Sequence, residues 1–374
     1  MKKSLIAVAV LGAFASTAMA ADVTLYGKID TGLNYTHVDT DVNGVDATDK
    51  VSMASGMNSG SRWGLKGTEE LGNGLKVGFV LESGFNSDDG TMGTSGTIFN
   101  RESTLFVQGD FGKVLAGRMG TLVYGAGSVS KIGMLSAFGT SFNEYVPQVQ
   151  STMAFTGGRQ DNAIAYESPK FAGVTVRAQY AFGKNGSENE SSSDRYYAVS
   201  ATYENGPVNV FFAVDSVNYQ SFDAGATKDV DDSLTVTLGG NYDFDVARVY
   251  FGAQYFDEVL PKAFSGLDAT TYGTAPSEKL TGYGLNASVS APLVGGVAKF
   301  GVSYMDASEA DSVKTGDFDL TRWQVAVGYD YALSKRTTVY GVASYGQDKY
   351  DVKANEDSQK PSYATVKIGL LHNF

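Results

Sequence analysis

Four arginines, Arg62, Arg101, Arg118 and Arg159, fall in the first half of a 374-residue chain whose formal net charge is −12. A guanidinium is permanently charged and offers a planar fork of donors, so several facing one aqueous space would attract anions. Fixed rings of charge admit ions of opposite sign by lowering their entry barrier. Lys28, Lys66 and Lys76 extend the basic set, and Glu144 is the single acidic side chain between Met119 and Arg159. Other chemistries are poorly supplied. Nucleophilic catalysis needs a base beside its nucleophile, yet the chain has only His37 and His372, neither in a local serine-and-acid context. Cysteine is absent, which excludes thiolate metal centres and a disulfide scaffold. Acidic clusters at Asp39, Asp41, Asp46 and Asp49, at Asp88 and Asp89, at Asp229, Asp231 and Asp232, and at Glu356 and Asp357 match no ordered calcium loop. They read as solvated connections. With no broad basic face, nucleic acid is not an expected partner; no cofactor and no catalysis are expected either.

Arginines so far apart act together only if the elements carrying them turn one face to a shared space. Val23–Thr36 alternates Val23, Leu25, Ile29, Leu33 and Tyr35 with Lys28, Asp30 and Asn34. Gly60–Gly67 sets Trp63 and Leu65 opposite Arg62 and Lys66, and Leu75–Asn86 sets Leu75, Val77, Phe79, Leu81 and Phe85 opposite Lys76 and Glu82. Similar runs follow at Phe99–Gly109, Gly112–Arg118, Gln160–Ser168, Val174–Phe182, Arg195–Tyr203, Pro207–Val217 and Ser233–Tyr242. The remainder are Val246–Phe256, Leu280–Ala291, Val297–Asp306, Leu320–Asp330, Thr337–Gly346 and Ser362–Phe374, which makes sixteen strands in all. On this pattern Arg62 faces inward, and Arg101 does so if Phe106 faces out. Beyond the first residues no stretch approaches the roughly 20 apolar residues of a spanning helix. A mean hydropathy of −0.14 is what alternating strands of a transmembrane barrel produce.

The connections alternate in length. Glu204–Gly206, Asp243–Asp245, Pro292–Gly296 and Ala332–Arg336 are short, whereas Ser87–Ile98, Asn218–Asp232, Asp257–Lys279, Ala307–Asp319 and Gln347–Pro361 are long and polar. That segregation is expected of a barrel with two unlike rims. Tyr203, Tyr242, Phe256, Tyr329 and Tyr331 lie near strand ends, suited to interfacial girdles. One connection, Met119–Arg159, runs to roughly 40 residues and holds Leu122, Val123, Ile132, Leu135, Phe138, Phe142, Val146 and Phe155. An exposed loop has no need of so many large apolar side chains, so it is expected to fold into the barrel and narrow it, the alternatives being an external cap or a subunit contact. At the amino end, Lys2 and Lys3 precede the apolar run Leu5–Phe14 and the small-residue site Ala18-Met19-Ala20. This predicts a signal peptide over 1–20 and a barrel domain over 21–374. At the other end Ala364, Val366, Ile368, Leu370, His372 and Phe374 share one face, and Ser362–Phe374 is expected to pair with Val23–Thr36 and close the barrel.

Several ordered stretches carry a family resemblance: Val23-Thr24-Leu25-Tyr26-Gly27, Gly67-Thr68-Glu69-Glu70-Leu71-Gly72-Asn73-Gly74-Leu75-Lys76, Asn100-Arg101, Asp110-Phe111-Gly112-Lys113 and Gly117-Arg118. Arg159–Ala163 with Tyr166 and Ser168-Pro169, and the terminal Gly369-Leu370-Leu371-His372-Asn373-Phe374, complete the set. The chain resembles Gram-negative general diffusion porins of the neisserial and betaproteobacterial type. That resemblance implies an all-β, sixteen-stranded antiparallel barrel, a homotrimer in the outer membrane, with its third external loop folded inward as a constriction. It implies constriction roles for Arg62, Arg101 and Arg159, a wall position for Arg118, and recognition of Phe374 by the outer-membrane assembly machinery. Lipid bilayer, lipopolysaccharide, inorganic ions and small hydrophilic solutes are the partners it implies. Leu371 departs from the basic residue common before the penultimate histidine, and the long connection lacks the richer acidic set of many relatives. The expectation is a passive, water-filled, anion-preferring channel. The rival is a substrate-specific porin for an organic anion or small sugar, using Tyr26, Tyr124 or Tyr145 beside Arg62 and Arg101. A barrel enzyme and a structural adhesin are more distant alternatives; conductance would separate the adhesin from both porin readings.

Overall fold

Period-two alternation becomes eighteen antiparallel strand segments in a computed structural model of the chain. The structure describes residues 23–124, 129–142, 145–183, 194–219, 231–267, 279–310, 318–352 and 357–374; the expected signal peptide and Glu144 lie outside them. The first segments are β1 (Thr24–Asp39), β2 (Thr48–Ser55), β3 (Arg62–Gly72), β4 (Leu75–Gly84), β5 (Glu102–Gly109) and β6 (Gly112–Gly120). Next come β7 (Arg159–Glu167), β8 (Val174–Ala181), β9 (Arg195–Asn205), β10 (Val208–Asn218), β11 (Leu234–Asp243) and β12 (Arg248–Val259). The last are β13 (Leu280–Leu293), β14 (Gly296–Glu309), β15 (Phe318–Ala332), β16 (Thr337–Val352), β17 (Asp357–Gln359) and β18 (Ser362–Asn373).

Two of these staves are interrupted. β2 pairs with β1 from Thr31 to Val38 and β3 pairs with the same strand from Thr24 to Lys28. β17 and β18 likewise both pair with β16. Counting each interrupted pair once, eighteen segments form the sixteen staves of one antiparallel barrel. Closure is direct. β18 runs against β1 from Lys28↔Asn373 to Asp39↔Ser362, and Gly27 N–H donates to Phe374 O at 3.1 Å while Phe374 N–H donates to Gly27 O at 3.0 Å. A closed sheet has no free edge to satisfy.

Burial follows the pleat. On β18 Val366, Ile368 and Leu370 are exposed outward, whereas Tyr363, Thr365, Lys367 and Leu371 are buried inward. This wall of aliphatic and aromatic side chains with polar residues behind it is the arrangement that lipid on one side and water on the other require. Two inferred orientations are reversed. Phe256 shares the inner face of β12 with Gln254 and is fully buried, while Tyr255 takes the outward position intended for it. On β5, Leu105 and Val107 face out and Phe106 and Glu102 face in. Arg101 lies one residue before that strand, so irregular backbone rather than strand parity aims it. The Asp39–Asp49 acidic run is also not wholly loop, because Asp39 ends β1 and Asp49 lies in β2.

The long connection after β6 packs against several strands of the barrel. It contains a 3-10 turn, Ile132–Leu135, and one helical turn, Val149–Thr152. Ile132, Leu135, Val149, Met153 and Phe155 pack on Phe211 and Ala213 of β10. Ala137 N–H donates to Ser288 Oγ at 2.8 Å, Thr152 Oγ1 to Leu285 O at 3.2 Å, and Phe142 N–H to Met57 O at 2.6 Å. Gly284 permits that approach, since a Cβ there would collide with Thr152 O. A fully buried ion pair adds a tether. Arg322 Nε and Nη2 meet Asp348 at 2.8 and 2.7 Å, and the same guanidinium donates to Ser151 O at 3.1 Å, Ser265 O at 2.7 Å and Gly266 O at 2.9 Å. A buried charge is tolerable only with its donors satisfied in this way.

Candidate functional site

Several basic residues converge on one cavity beside that connection. A cavity of about 570 Å³ is lined by Lys28, Arg62, Arg101 and Arg159, by Asn58, Ser59 and Gly60, and by Tyr124, Thr140, Ser141, Gln150 and Phe155 of the long connection. Register explains part of this. Lys28 on β1 lies opposite Arg62, the first residue of β3, so both project from the same side of adjacent staves. Arg159 is the first residue of β7, across the mouth of the connection.

Each cation is held differently. Arg62 donates from Nε to Gly60 O at 2.9 Å and from Nη2 to Ser59 Oγ at 2.9 Å. Lys28 Nζ donates to the same Ser59 hydroxyl at 3.2 Å. Arg101 Nε pairs with Glu82 Oε1 at 2.6 Å, Arg62 Nη1 stands 3.7 Å from that oxygen, and Tyr26 OH donates to Glu82 Oε2 at 3.1 Å. The Arg159 guanidinium carbon lies 5.0 Å from the centre of the Tyr124 ring, and Nη1 donates to Tyr124 OH at 3.3 Å. Tyr124 is braced edge-on by Phe155 at 5.8 Å between ring centres. Four cations thus converge with Glu82 as the carboxylate paired to them and the buried Asp30 carboxylate behind Asn58 and Ser59, so the charges around the space sum to a positive value. The resulting field is stronger beside low-dielectric walls than in bulk water.

Not every expected residue joins. Arg118 turns away, pairing through Nη1 with Asp161 at 2.5 Å and through Nε with Asn100 O at 2.9 Å. Lys66 sits over the Tyr26 ring at 5.2 Å, and Lys76 pairs with Glu70 at 2.5 Å near the β3–β4 turn; neither lines the cavity. Tyr145 stacks on Tyr363 at 4.5 Å instead. Phe374 serves the closure described above, on the far side of the wall from solute. Glu82 and Ser59 are functional neighbours that sequence reasoning missed. Glu82 stood on the inward parity, but its partnership with Arg101 appears only once β4 is paired with its neighbours.

A family model described as Gram-negative porin matches residues 7–352. The chain is a Gram-negative porin. It is 32% identical to an outer membrane porin protein of Bordetella pertussis and 32% identical to outer membrane porin protein 32 of Delftia acidovorans, each across 100% of both chains. It is 30% identical to the major outer membrane protein P.IB of Neisseria gonorrhoeae over 93% of this chain and 94% of that one. Among solved structures, an anion-selective porin from Comamonas acidovorans superposes with a TM-score of 0.70 at 27% identity, covering 95% of this porin and 100% of that chain. The outer membrane channel DcaP of Acinetobacter baumannii shares the fold, with a TM-score of 0.63 at 14% identity over 96% and 99% of the two chains. The porin is therefore a passive outer-membrane diffusion channel of a Gram-negative bacterium and not an enzyme. Its surroundings are the bilayer and lipopolysaccharide, and its cargo is small molecules.

Proposed function

We propose that this porin prefers anions, and that Lys28, Arg62, Arg101 and Arg159 form its filter against Met119–Arg159, an inward-folded constriction loop. The observation that carries the reading is the convergence of four cations with Glu82 as their bonded carboxylate on one cavity. Loop residues Tyr124, Thr140, Ser141, Gln150 and Phe155 line the same cavity, which supports the inward loop. A relative at 27% identity is itself an anion-selective porin. Arg118 contributes as a wall charge, and Glu144 as the loop's acidic side chain. Lys66 and Lys76 supply a basic approach nearer the short-turn rim, taken as the periplasmic side. Removal of residues 1–20, assembly as a homotrimer and recognition of Phe374 by the assembly machinery belong to the same reading.

The rival, a substrate-specific porin for an organic anion or small sugar, draws support from the Tyr124–Phe155 pair beside Arg159, an aromatic surface with a cation at its edge. Single-channel recording separates the two. General diffusion predicts stepwise conductance that rises nearly in proportion to KCl and is not blocked by added sugars or carboxylates. Saturable block by one such solute favours the specific porin, and no conductance contradicts both.

A further inference from the structure

The wall that faces the long loop across the cavity is an insertion in the second stave, and it is organised around one buried carboxylate. Pairing with β1 stops at Thr31↔Ser55 and resumes at Lys28↔Arg62, so residues 56–61 stand against only Ile29 and Asp30. Asp30 is fully buried. Its Oδ2 accepts the consecutive N–H groups of Asn58 at 2.8 Å and Ser59 at 2.6 Å, and its Oδ1 accepts Tyr340 OH at 2.5 Å. Its backbone pins both ends of the insertion: Gly56 N–H donates to Asp30 O at 2.8 Å, and Asp30 N–H donates to Ser61 Oγ at 3.0 Å. Two successive backbone donors around one carboxylate oxygen form an anion nest, here filled from within the protein.

The insertion in turn holds the filter. Ser59 Oγ accepts Lys28 Nζ and Arg62 Nη2, and Gly60 O accepts Arg62 Nε. Met57 O accepts Phe142 N–H of the long loop at 2.6 Å, so the same six residues also touch the opposite wall.

We propose that Asp30 is a positioning residue for anion selectivity: by nesting the 58–59 backbone it fixes Ser59 and Gly60, which keep Arg62 and Lys28 turned into the passage and Arg62 from pairing fully with Glu82. The inference rests on the anion-filter reading. It makes an unusual claim about sign. As a fixed negative charge among cations, Asp30 should oppose anion flow, and deleting it should raise the chloride preference. As the hub of the insertion, deleting it should lower that preference.

The test is the reversal potential of the purified full-length porin in planar bilayers under a KCl gradient, with heat-modifiable electrophoretic migration reporting a folded barrel. Wild type first tests the filter reading, since a cation-preferring wild type contradicts that reading whatever Asp30 does. Asp30→Asn keeps an acceptor for Asn58 and Ser59 without the charge, and is expected to stay at or above the wild-type chloride preference. Asp30→Ala removes both and is expected to fall about two-fold or more below wild type, the scale of losing a structural hydrogen bond. If Asp30→Ala matches Asp30→Asn, or equals wild type, the positioning role is overturned. Should Asp30→Ala fail to fold, Ser59→Ala decides. It leaves every charge in place, and a fall in chloride preference supports the proposal whereas no change contradicts it.

Discussion

At the residue scale, the account turns on how much of each cation's charge is left for a passing ion. Arg101 is bonded to Glu82, Arg62 is near it, and Arg159 leans on an aromatic ring. Charge-assisted hydrogen bonds of this kind hold a side chain and damp its field together. Neutralising the carboxylate by Glu82→Gln is therefore expected to raise the chloride-to-potassium permeability ratio on the order of two-fold while leaving stepwise conductance intact. Reversal potentials measure it, and an unchanged or falling ratio counts against Glu82 as the damping group. Arg62 was legible in the sequence because Trp63 and Leu65 beside it fixed its parity. Arg101 was not legible in the same way, because it precedes β5 and takes its direction from backbone that no longer alternates. Ser59 carried no signal at all. A serine in a Gly/Ser/Asn-rich run is ordinary loop composition, and only the nest on Asp30 makes it a ligand for two cations.

Elements were legible where lipid faces one side and water the other, since that contrast writes itself as period-two hydropathy. Each expected strand corresponds to a stave, with ends shifted by a few residues. β2 was missed for the complementary reason. Thr48, Asp49, Lys50 and Val51 are all exposed, so no face is selected and the strand leaves no periodic trace. That the long connection would bury its apolar side chains was legible from its composition, but its tether was not. Arg322 and Asp348 are 26 positions apart in sequence and meet only through the β15–β16 register. Breaking that pair by Arg322→Met takes the ion-pair partner from a buried carboxylate that Tyr363 OH still hydrogen-bonds at 3.2 Å, which is expected to destabilise the barrel by about 3–5 kcal/mol. Adding Asp348→Leu should recover much of that loss, because paired removal restores an apolar core. Urea titration followed by tryptophan fluorescence reads both, and a double variant as unstable as the single one contradicts the argument.

For the whole molecule, closure and lipid exposure are one problem. The same β18 strand that seals against β1 offers Val366, Ile368 and Leu370 to the outside. Ile368→Arg places a charge on that face and is expected to cost about 2–4 kcal/mol near the bilayer midplane. Unfolding in liposomes checks this, and a loss within error would mean that Ile368 does not meet lipid. An acidic chain with a basic cavity is reconciled at this scale as well. Net charge governs the field far from the protein, where salt screens it within about 8 Å. On the proposed reading, an ion inside the passage meets Lys28, Arg62, Arg101 and Arg159 lining a single cavity. Membership of the porin family says that solutes pass; the local balance of charge says which sign passes more easily.

The measurement that bears most directly on this claim is the reversal potential of wild-type porin and of the Arg62→Gln/Arg101→Gln/Arg159→Gln variant under one KCl gradient. The account predicts a chloride-favouring potential in wild type that moves toward zero, or past it, in the variant. A cation-favouring wild-type potential that the three substitutions leave unchanged would contradict it.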